Sequence, residues 1–280
     1  MMSVVRNLGP VRRVGCAYNA SAPECAGAAA SLRSELETHG FEVRVGAEAL
    51  SGDSPDVLVV LGGDGFLMES LKSLGYPSTP IFGINFGSVG FLMNPKNRLQ
   101  DLASMLRRGE FLREERCVLE ATVRLEGGAE ARLLAVNDVV VERVSRQSLR
   151  LDVYLDGTLL NHYAGDGFVI ATTAGSTAYN LAARGPVVHP SLDVLVVTPL
   201  YPHRASPFHS MQFSLVVPQT STIRVVGSDL PKRRMRAVGD GEAVDGAESV
   251  EVRDSGRRVV FLRPVDHVFA KTLSRKFMGE

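Results

Sequence analysis

The stretch Asp56-Val57-Leu58-Val59-Val60-Leu61-Gly62-Gly63-Asp64-Gly65 decides the fold class. Its first six residues form a short, nearly continuous apolar run, the pattern of a parallel strand covered on both faces. The glycines interrupt that run, and Leu67, Leu71 and Leu74 then recur at helical spacing until Gly75. The segment reads as strand, tight turn, helix. The same alternation extends on both sides. Upstream, Val11 to Tyr18 predicts a strand, the alanine-rich stretch with Ala29, Leu32 and Leu36 a helix stopped by Gly40, and Phe41 to Val45 another strand. Downstream, Ile81 to Asn85 predicts a strand, and Leu99, Leu102 and Leu106 a helix ending at Gly109. Alternating strands and helices imply an α/β region with a parallel sheet.

The pattern changes after about Phe111. From Cys117 to Leu125 apolar residues alternate with Glu120, Thr122 and Arg124 at a period of two, and Glu126-Gly127-Gly128 is a turn. Leu149 to Leu155 alternates again and runs into Asp156-Gly157, a hairpin signal. Short strands are predicted at 193–198, 213–217, 222–226, 249–252 and 258–262, with turns at Asp240-Gly241 and Asp245-Gly246 and one helical interruption near Ser176 to Ala183. The second half is therefore mostly antiparallel β.

Composition limits the functional classes. The 31 basic and 31 acidic residues cancel, so the chain as a whole exerts no pull on nucleic acid or an anionic membrane, and phosphate must be bound by local geometry. Cys16, Cys25 and Cys117 are too few and scattered for a disulfide framework or a zinc site. The first residues lack the apolar core of a signal peptide, and no apolar run approaches the roughly 20 residues that span a bilayer. The expectation is a cytoplasmic protein.

Four segments carry chemistry. Gly62-Gly63-Asp64-Gly65 lies where ligands of open parallel sheets bind, beyond the carboxyl end of a strand and at the start of a helix. Glycines there allow positive φ and close approach to a ligand. Asp64 either accepts a proton from an attacking hydroxyl or helps hold a phosphate-bound Mg²⁺; the competing reading is a turn with Asp64 capping the helix. The second segment, Gly83-Ile84-Asn85-Phe86-Gly87-Ser88-Val89-Gly90-Phe91-Leu92, reads as a second loop flanking the same crevice or as a long turn. The third runs from Gly165-Asp166-Gly167 through the strand Phe168 to Ala171 into Thr172-Thr173-Ala174-Gly175-Ser176-Thr177-Ala178-Tyr179, small hydroxyl residues ahead of a short helix. In the fourth, Asn137-Asp138 interrupts the apolar stretch Leu133 to Val141. Buried polar groups need partners, and a bound ribose would supply them, unless the pair marks a bulge or a strand end.

In chain order, GGDG at 62–65, GINFGSVGFL at 83–92, the Asn-Asp pair at 137–138 and GDGFVIATTAGSTAYNLAARGPVVHP at 165–190 resemble the signature segments of the NAD kinase family; 198–207 (TPLYPHRASP) and 266–277 (DHVFAKTLSRKF) are also similar. The resemblance implies an α/β domain over 1–112 carrying the GGDG motif, a mostly antiparallel, β-sandwich-like NAD-binding domain over 113–262, and a tail over 263–280 returning to the first domain. It implies transfer of the γ-phosphoryl group of ATP, or of polyphosphate, to the 2′-hydroxyl of the adenosine ribose of NAD, with Mg²⁺ held mainly by the ATP phosphates and no metal site of the chain's own. It implies a homodimer or homotetramer. By the same resemblance Asp64 is the general base, Gly62, Gly63 and Gly65 make room for phosphates, and Phe91 packs against a base. Asn137 and Asp138 bind ribose hydroxyls or the nicotinamide side, and Asp166, Thr177, Ala178 and Tyr179 line the dinucleotide pocket. Ala174, Ala182 and Asp240 form a second tier.

This sequence departs from the family's pattern in four places. Asp138 stands where the family usually has Glu, Thr173-Ala174 where it has Pro-Thr or Pro-Ser, and Arg184 where many members have Gly. The basic run Pro231 to Arg236 reads as a solvated hairpin loop or as a reach toward ATP or polyphosphate. His189, His203 and His209 lack metal-ligand spacing. Two rival readings stay open on the residues alone: another GGDG-type kinase acting on a lipid or nucleoside, and a dinucleotide sensor that has lost turnover.

Overall fold

A computed structural model describes residues 2–5, 8–50, 53–87, 90–204 and 209–278. In chain order the elements are β1 (Met2–Val5), β2 (Arg13–Tyr18), α1 (Pro23–Thr38), β3 (Glu42–Val45), β4 (Val57–Gly62), α2 (Asp64–Ser73), β5 (Ile81–Asn85), α3 (Leu102–Arg108) and β6 (Phe111–Leu125). There follow β7 (Glu130–Ala135), β8 (Asp138–Arg143), β9 (Leu149–Leu155), β10 (Thr158–Gly165), β11 (Gly167–Ala171), α4 (Tyr179–Ala182) and β12 (Val194–Leu200). The last are β13 (Leu215–Pro218), β14 (Ile223–Ser228), β15 (Met235–Gly239), β16 (Glu242–Arg263) and α5 (Phe269–Met278). The chain divides into two compact units, one of residues 1–115 with 258–280 and one of residues 116–257.

The first unit is α/β. Its strands run in the order β3-β2-β4-β5, all parallel, with the end of β16 joining β5 in parallel at Phe261 and Ile81. All six residues of β4 are buried, as the apolar run requires. Val57, Val59 and Leu61 share a core with Cys25, Ala29, Leu32 and Leu36 of α1 and with Leu102 and Leu106 of α3. Leu58 and Val60 point the opposite way, on the side where α2 contacts β4 with Leu67 and Leu71 buried. Each such leucine, fully withdrawn from water, contributes about 1.5–3 kcal/mol. Proline opens α1, where its missing N–H is no loss. The three cysteines are buried and form no disulfide among the described residues. Burial, with Cys25 adding to it, pushes the Cys16 thiol up to about 12, and burial raises that of Cys25.

The second unit is antiparallel. One run of strands is β13-β12-β11-β8-β15-β16, and another joins β10, β9 and β14 to β16, while β6 pairs with β7. Inward residues from both runs build one core, among them Val139, Leu151, Phe168, Val197, Val225 and Val250. The central strands β8, β11 and β12 are buried on their other face as well. There Val140, Val169, Ala171 and Val196 pack with Val188 and Ala183, residues of the segment that follows β11. That segment is the third of the motif-bearing stretches, so its position is fixed by apolar packing onto the sheet.

Several expectations change. Strand β1 carried no signal. The helix expected around Leu99 to Leu106 is a short 3₁₀ turn at Lys96–Leu99 followed by α3. The two strands expected at 249–252 and 258–262 belong to one strand, β16. The predicted Asp245-Gly246 turn is a bulge inside it: Arg236 faces Asp245, Met235 faces Ala247, and Gly246 (φ 74) is left over. The C-terminal tail forms the helix α5.

Candidate active site

In the first unit, β4 delivers Asp64 to the first turn of α2, with Gly63 as the N-cap. The glycines of this motif do not adopt the positive φ expected of them. Their use is space: no atom lies within 4 Å of where a Cβ would stand on Gly63 or Gly65, whereas one on Gly62 would meet the Phe66 ring. Nor does Asp64 cap its own helix. Its Oδ2 accepts the amide N–H of Phe91 (2.8 Å) and, more weakly, that of Leu92 (3.4 Å). Its Oδ1 is buried and makes no hydrogen bond among the described residues. A Cβ on Gly90 would lie 2.5 Å from that oxygen, so only glycine leaves the carboxylate where it is.

The second segment therefore lies beside the first. Phe86 N–H donates to Gly62 O (2.6 Å), and Gly87 stands against Gly63. Ser88 and Val89, part of the second segment, lie outside the described residues. The Phe91 ring is 9% exposed, and the Lys276 ammonium of α5 sits 4.2 Å from its centroid. A cavity of about 210 Å³ is lined by Asn85, Gly90, Lys96, His267, Thr272 and Arg275.

In the second unit, Asn137 lies in the gap between β7 and β8 and Asp138 is the first residue of β8, so the pair sits at a strand end and not in the middle of a strand. Asp240, in the β15–β16 hairpin with φ 43 followed by Gly241 at 85, does more than form a turn. Its carboxylate accepts the amide N–H groups of Val136 (2.6 Å), Asn137 (3.0 Å) and Asp138 (3.4 Å). The Asp138 side chain is 8% exposed. Burial, and then the Asp240 charge, push its carboxyl up to about 7 against the pull of the Tyr179 amide N–H. The Asn137 carbonyl accepts Thr172 N–H (2.9 Å), and a Cβ on Gly175 would lie 1.9 Å from it. The Asn137 side chain is half-buried and makes no hydrogen bond among the described residues, so its amide can reach a ligand.

The remaining candidates surround this point. Thr177 is buried and its hydroxyl donates to Ala174 O. Ala174 is buried, Ala178 half-buried, Ala182 exposed, and Tyr179 is 44% exposed. Tyr179 and Ala182 line a cavity of about 510 Å³ together with Arg184, Tyr201, Arg204 and Phe213. Asp166 is paired with Arg143 (2.7 Å). Arg184 has φ 65, a left-handed conformation that glycine takes without penalty, so the departure there costs about 1 kcal/mol of backbone energy. The basic run is partly turned inward: Arg233 donates to Ser148 O and Arg236 pairs with Glu142 (2.6 Å). Of 198–207, residues 205–207 lie outside the described residues. No cluster of three metal-ligating side chains occurs among the described residues.

Thr172, in the third segment but without a role of its own in the sequence, has a hydroxyl that donates to Val136 O and accepts the amides of Ala174 and Gly175. The sequence did not single out Glu114, Asn94 and Arg263, a buried polar group behind Phe91. Charged residues inside strand patterns were the available signal.

Comparison with known proteins places this architecture. Residues 16–110 match the ATP-NAD kinase N-terminal domain and residues 136–263 the ATP-NAD kinase C-terminal domain. An NAD kinase of Burkholderia pseudomallei is 34% identical over 269 residues, covering 88% of this chain and 87% of that one. An NAD kinase from Archaeoglobus fulgidus in complex with ATP is 26% identical with a TM-score of 0.74, covering 94% and 99%. A yeast NADH kinase complexed with NADH has a TM-score of 0.83 at 19% identity over 99% and 93%, a likeness of fold. The chain belongs to the ATP-NAD kinase family. No helix among the described residues is long and apolar enough to cross a membrane.

Proposed function

We propose that the protein transfers the γ-phosphoryl group of ATP to the 2′-hydroxyl of the adenosine ribose of NAD, giving NADP, with Asp64 as the general base. The observation that carries the residue assignment is the division of labour within the Asp64 carboxylate. Oδ2 is held by two amide N–H groups, while Oδ1 keeps its lone pairs in a buried place. An acceptor so placed has a vacant bond to make, and the proton of an attacking hydroxyl fits it. Beside it, Gly63 and Gly65 leave room for the donor's phosphates at the start of α2, whose free N–H groups favour anions.

The 2′-oxygen attacks the γ-phosphorus in line, the bond to the bridging oxygen breaks, ADP leaves, and the hydroxyl proton goes to Asp64 Oδ1. Asn137 and Asp138 bind the dinucleotide, kept in register by Asp240. With its carboxyl near 7, Asp138 is in part protonated at neutral pH, so it both donates to and accepts from ribose hydroxyls. The donor set suits Mg²⁺ only as a guest of the phosphates: Asp64 offers one carboxylate oxygen and no three-residue cage exists among the described residues. Held there, Mg²⁺ would neutralise phosphate charge.

The test is formation of NADP from ATP, Mg²⁺ and NAD, with NADH and polyphosphate run in parallel. Asp64→Asn should lower kcat by about 10²–10⁴-fold. An unchanged rate would remove Asp64 from the role, and no NADP from the wild type would remove the activity.

A further inference from the structure

We propose that Arg263, seated on the buried carboxylate of Glu114, is a positioning residue for phosphoryl transfer: it fixes the Phe91–Leu92 peptide, which fixes Asp64. The inference rests on the reading of Asp64 as the base. Arg263 and Glu114 are 2% and 1% exposed. Arg263 Nε donates to Glu114 Oε2 (3.0 Å), and Nη2 donates to Phe91 O (3.0 Å). Asn94, buried alongside, donates from Nδ2 to Leu262 O (3.1 Å). His267 closes the outer side, its Nε2 3.9 Å from Glu114 Oε1.

The peptide joining Phe91 to Leu92 is planar and trans, so its C=O and N–H point in opposite directions. The C=O faces the Arg263 guanidinium; the N–H of the same unit faces Asp64 Oδ2 at 3.4 Å, beside the Phe91 N–H at 2.8 Å. One peptide plane is thus clamped between a cation and the candidate base. Rotation of that plane would withdraw the Leu92 N–H and leave Oδ2 on the Phe91 N–H alone, a single bond about which the carboxylate can swing, changing the direction in which Oδ1 looks. A guanidinium suits this task because its planar fork holds a carboxylate and a carbonyl at a fixed angle, which a lysine ammonium does not. Stability alone gives little reason for the pair, since apolar side chains of similar volume often replace a buried ion pair without loss. What an apolar pair would not do is orient the peptide.

The experiment compares full-length wild type with Glu114→Leu/Arg263→Met, which removes both charges together, and with Arg263→Lys, which keeps the charge and loses the fork. Each is made with Asp64 present and as Asp64→Asn. The proposal expects folded variants that melt near the wild type, with KM for NAD and ATP within about twofold and kcat lower by about ten- to a hundredfold, the scale of a misplacement of about 1 Å. It expects no further fall in the Asp64→Asn background, because the two changes act through one group. A folded variant with wild-type kcat would overturn it, as would an equal fall in both backgrounds. Hydrogen exchange at the Phe91 and Leu92 amides gives a readout independent of turnover: faster exchange in either variant supports the clamp, and unchanged exchange refutes it whether or not NAD is the substrate. Should the double variant fail to fold, Arg263→Lys carries the same comparisons.

Discussion

Replacing Asp138 by asparagine should make the protein more stable at neutral pH and above, and the gain should depend on pH. The folded chain holds this carboxyl at about 7, against an ordinary value of 3.8, by burying it and setting it near Asp240. At about 1.4 kcal/mol per pKa unit, ionising it when folded costs about 4 kcal/mol more than when unfolded. The sign follows from proton counts. Between 3.8 and about 7 the folded state binds more protons than the unfolded one, so stability is fully present below the lower value and is lost as pH rises through the upper. Asparagine keeps an acceptor for the Tyr179 amide and has nothing to ionise. In urea unfolding the variant should gain about 2–3 kcal/mol on the wild type between about pH 5 and pH 8. A difference that stays flat across that range, or that moves the other way, would refute the idea that burial and Asp240 hold this carboxyl protonated.

Other substitutions probe the close approaches. Gly90→Ala brings a methyl to 2.5 Å from Asp64 Oδ1; the carboxylate gives way, so kcat should fall by about a hundredfold while urea unfolding shows little change. Gly175→Ala meets the Asn137 carbonyl at 1.9 Å, and backbone cannot step aside as a side chain does. It should destabilise the fold by about 2–4 kcal/mol and weaken NAD binding measured by calorimetry.

Much of this was legible in the sequence because its causes are local. The run 56–61 and the helical spacing of Leu67 and Leu71 have no other reading than β4 and α2. Asp156-Gly157 and Asp240-Gly241 make the turns their residue types demand. What escaped depends on partners far along the chain. Nothing near Asp245 says that Arg236 and Met235 stand opposite and turn a hairpin signal into a bulge. Asp240 reads as a turn former until the amides of residues 136–138, about a hundred positions away, are seen to converge on it. Of the two uses expected of the glycines at 62–65, positive φ is absent, and the space left by the missing side chains at Gly63 and Gly65 remains. Arg263, at the end of β16, shows in the sequence only as a charge beside an apolar run, and nothing near it names Glu114, far back along the chain, as its partner.

The seclusion of all three cysteines, with burial holding the Cys16 thiol up at about 12, should leave the native chain almost inert to maleimide and iodoacetamide chemistry at neutral pH. The sequence also contains no tryptophan. A single introduced reporter, a cysteine on the outer face of α5 or a tryptophan in place of Phe213, would therefore stand against a dark background. Occupancy of the smaller cavity, which α5 lines, or of the larger one, which Phe213 lines, could then be followed by fluorescence one residue at a time, without first stripping the protein of competing labels.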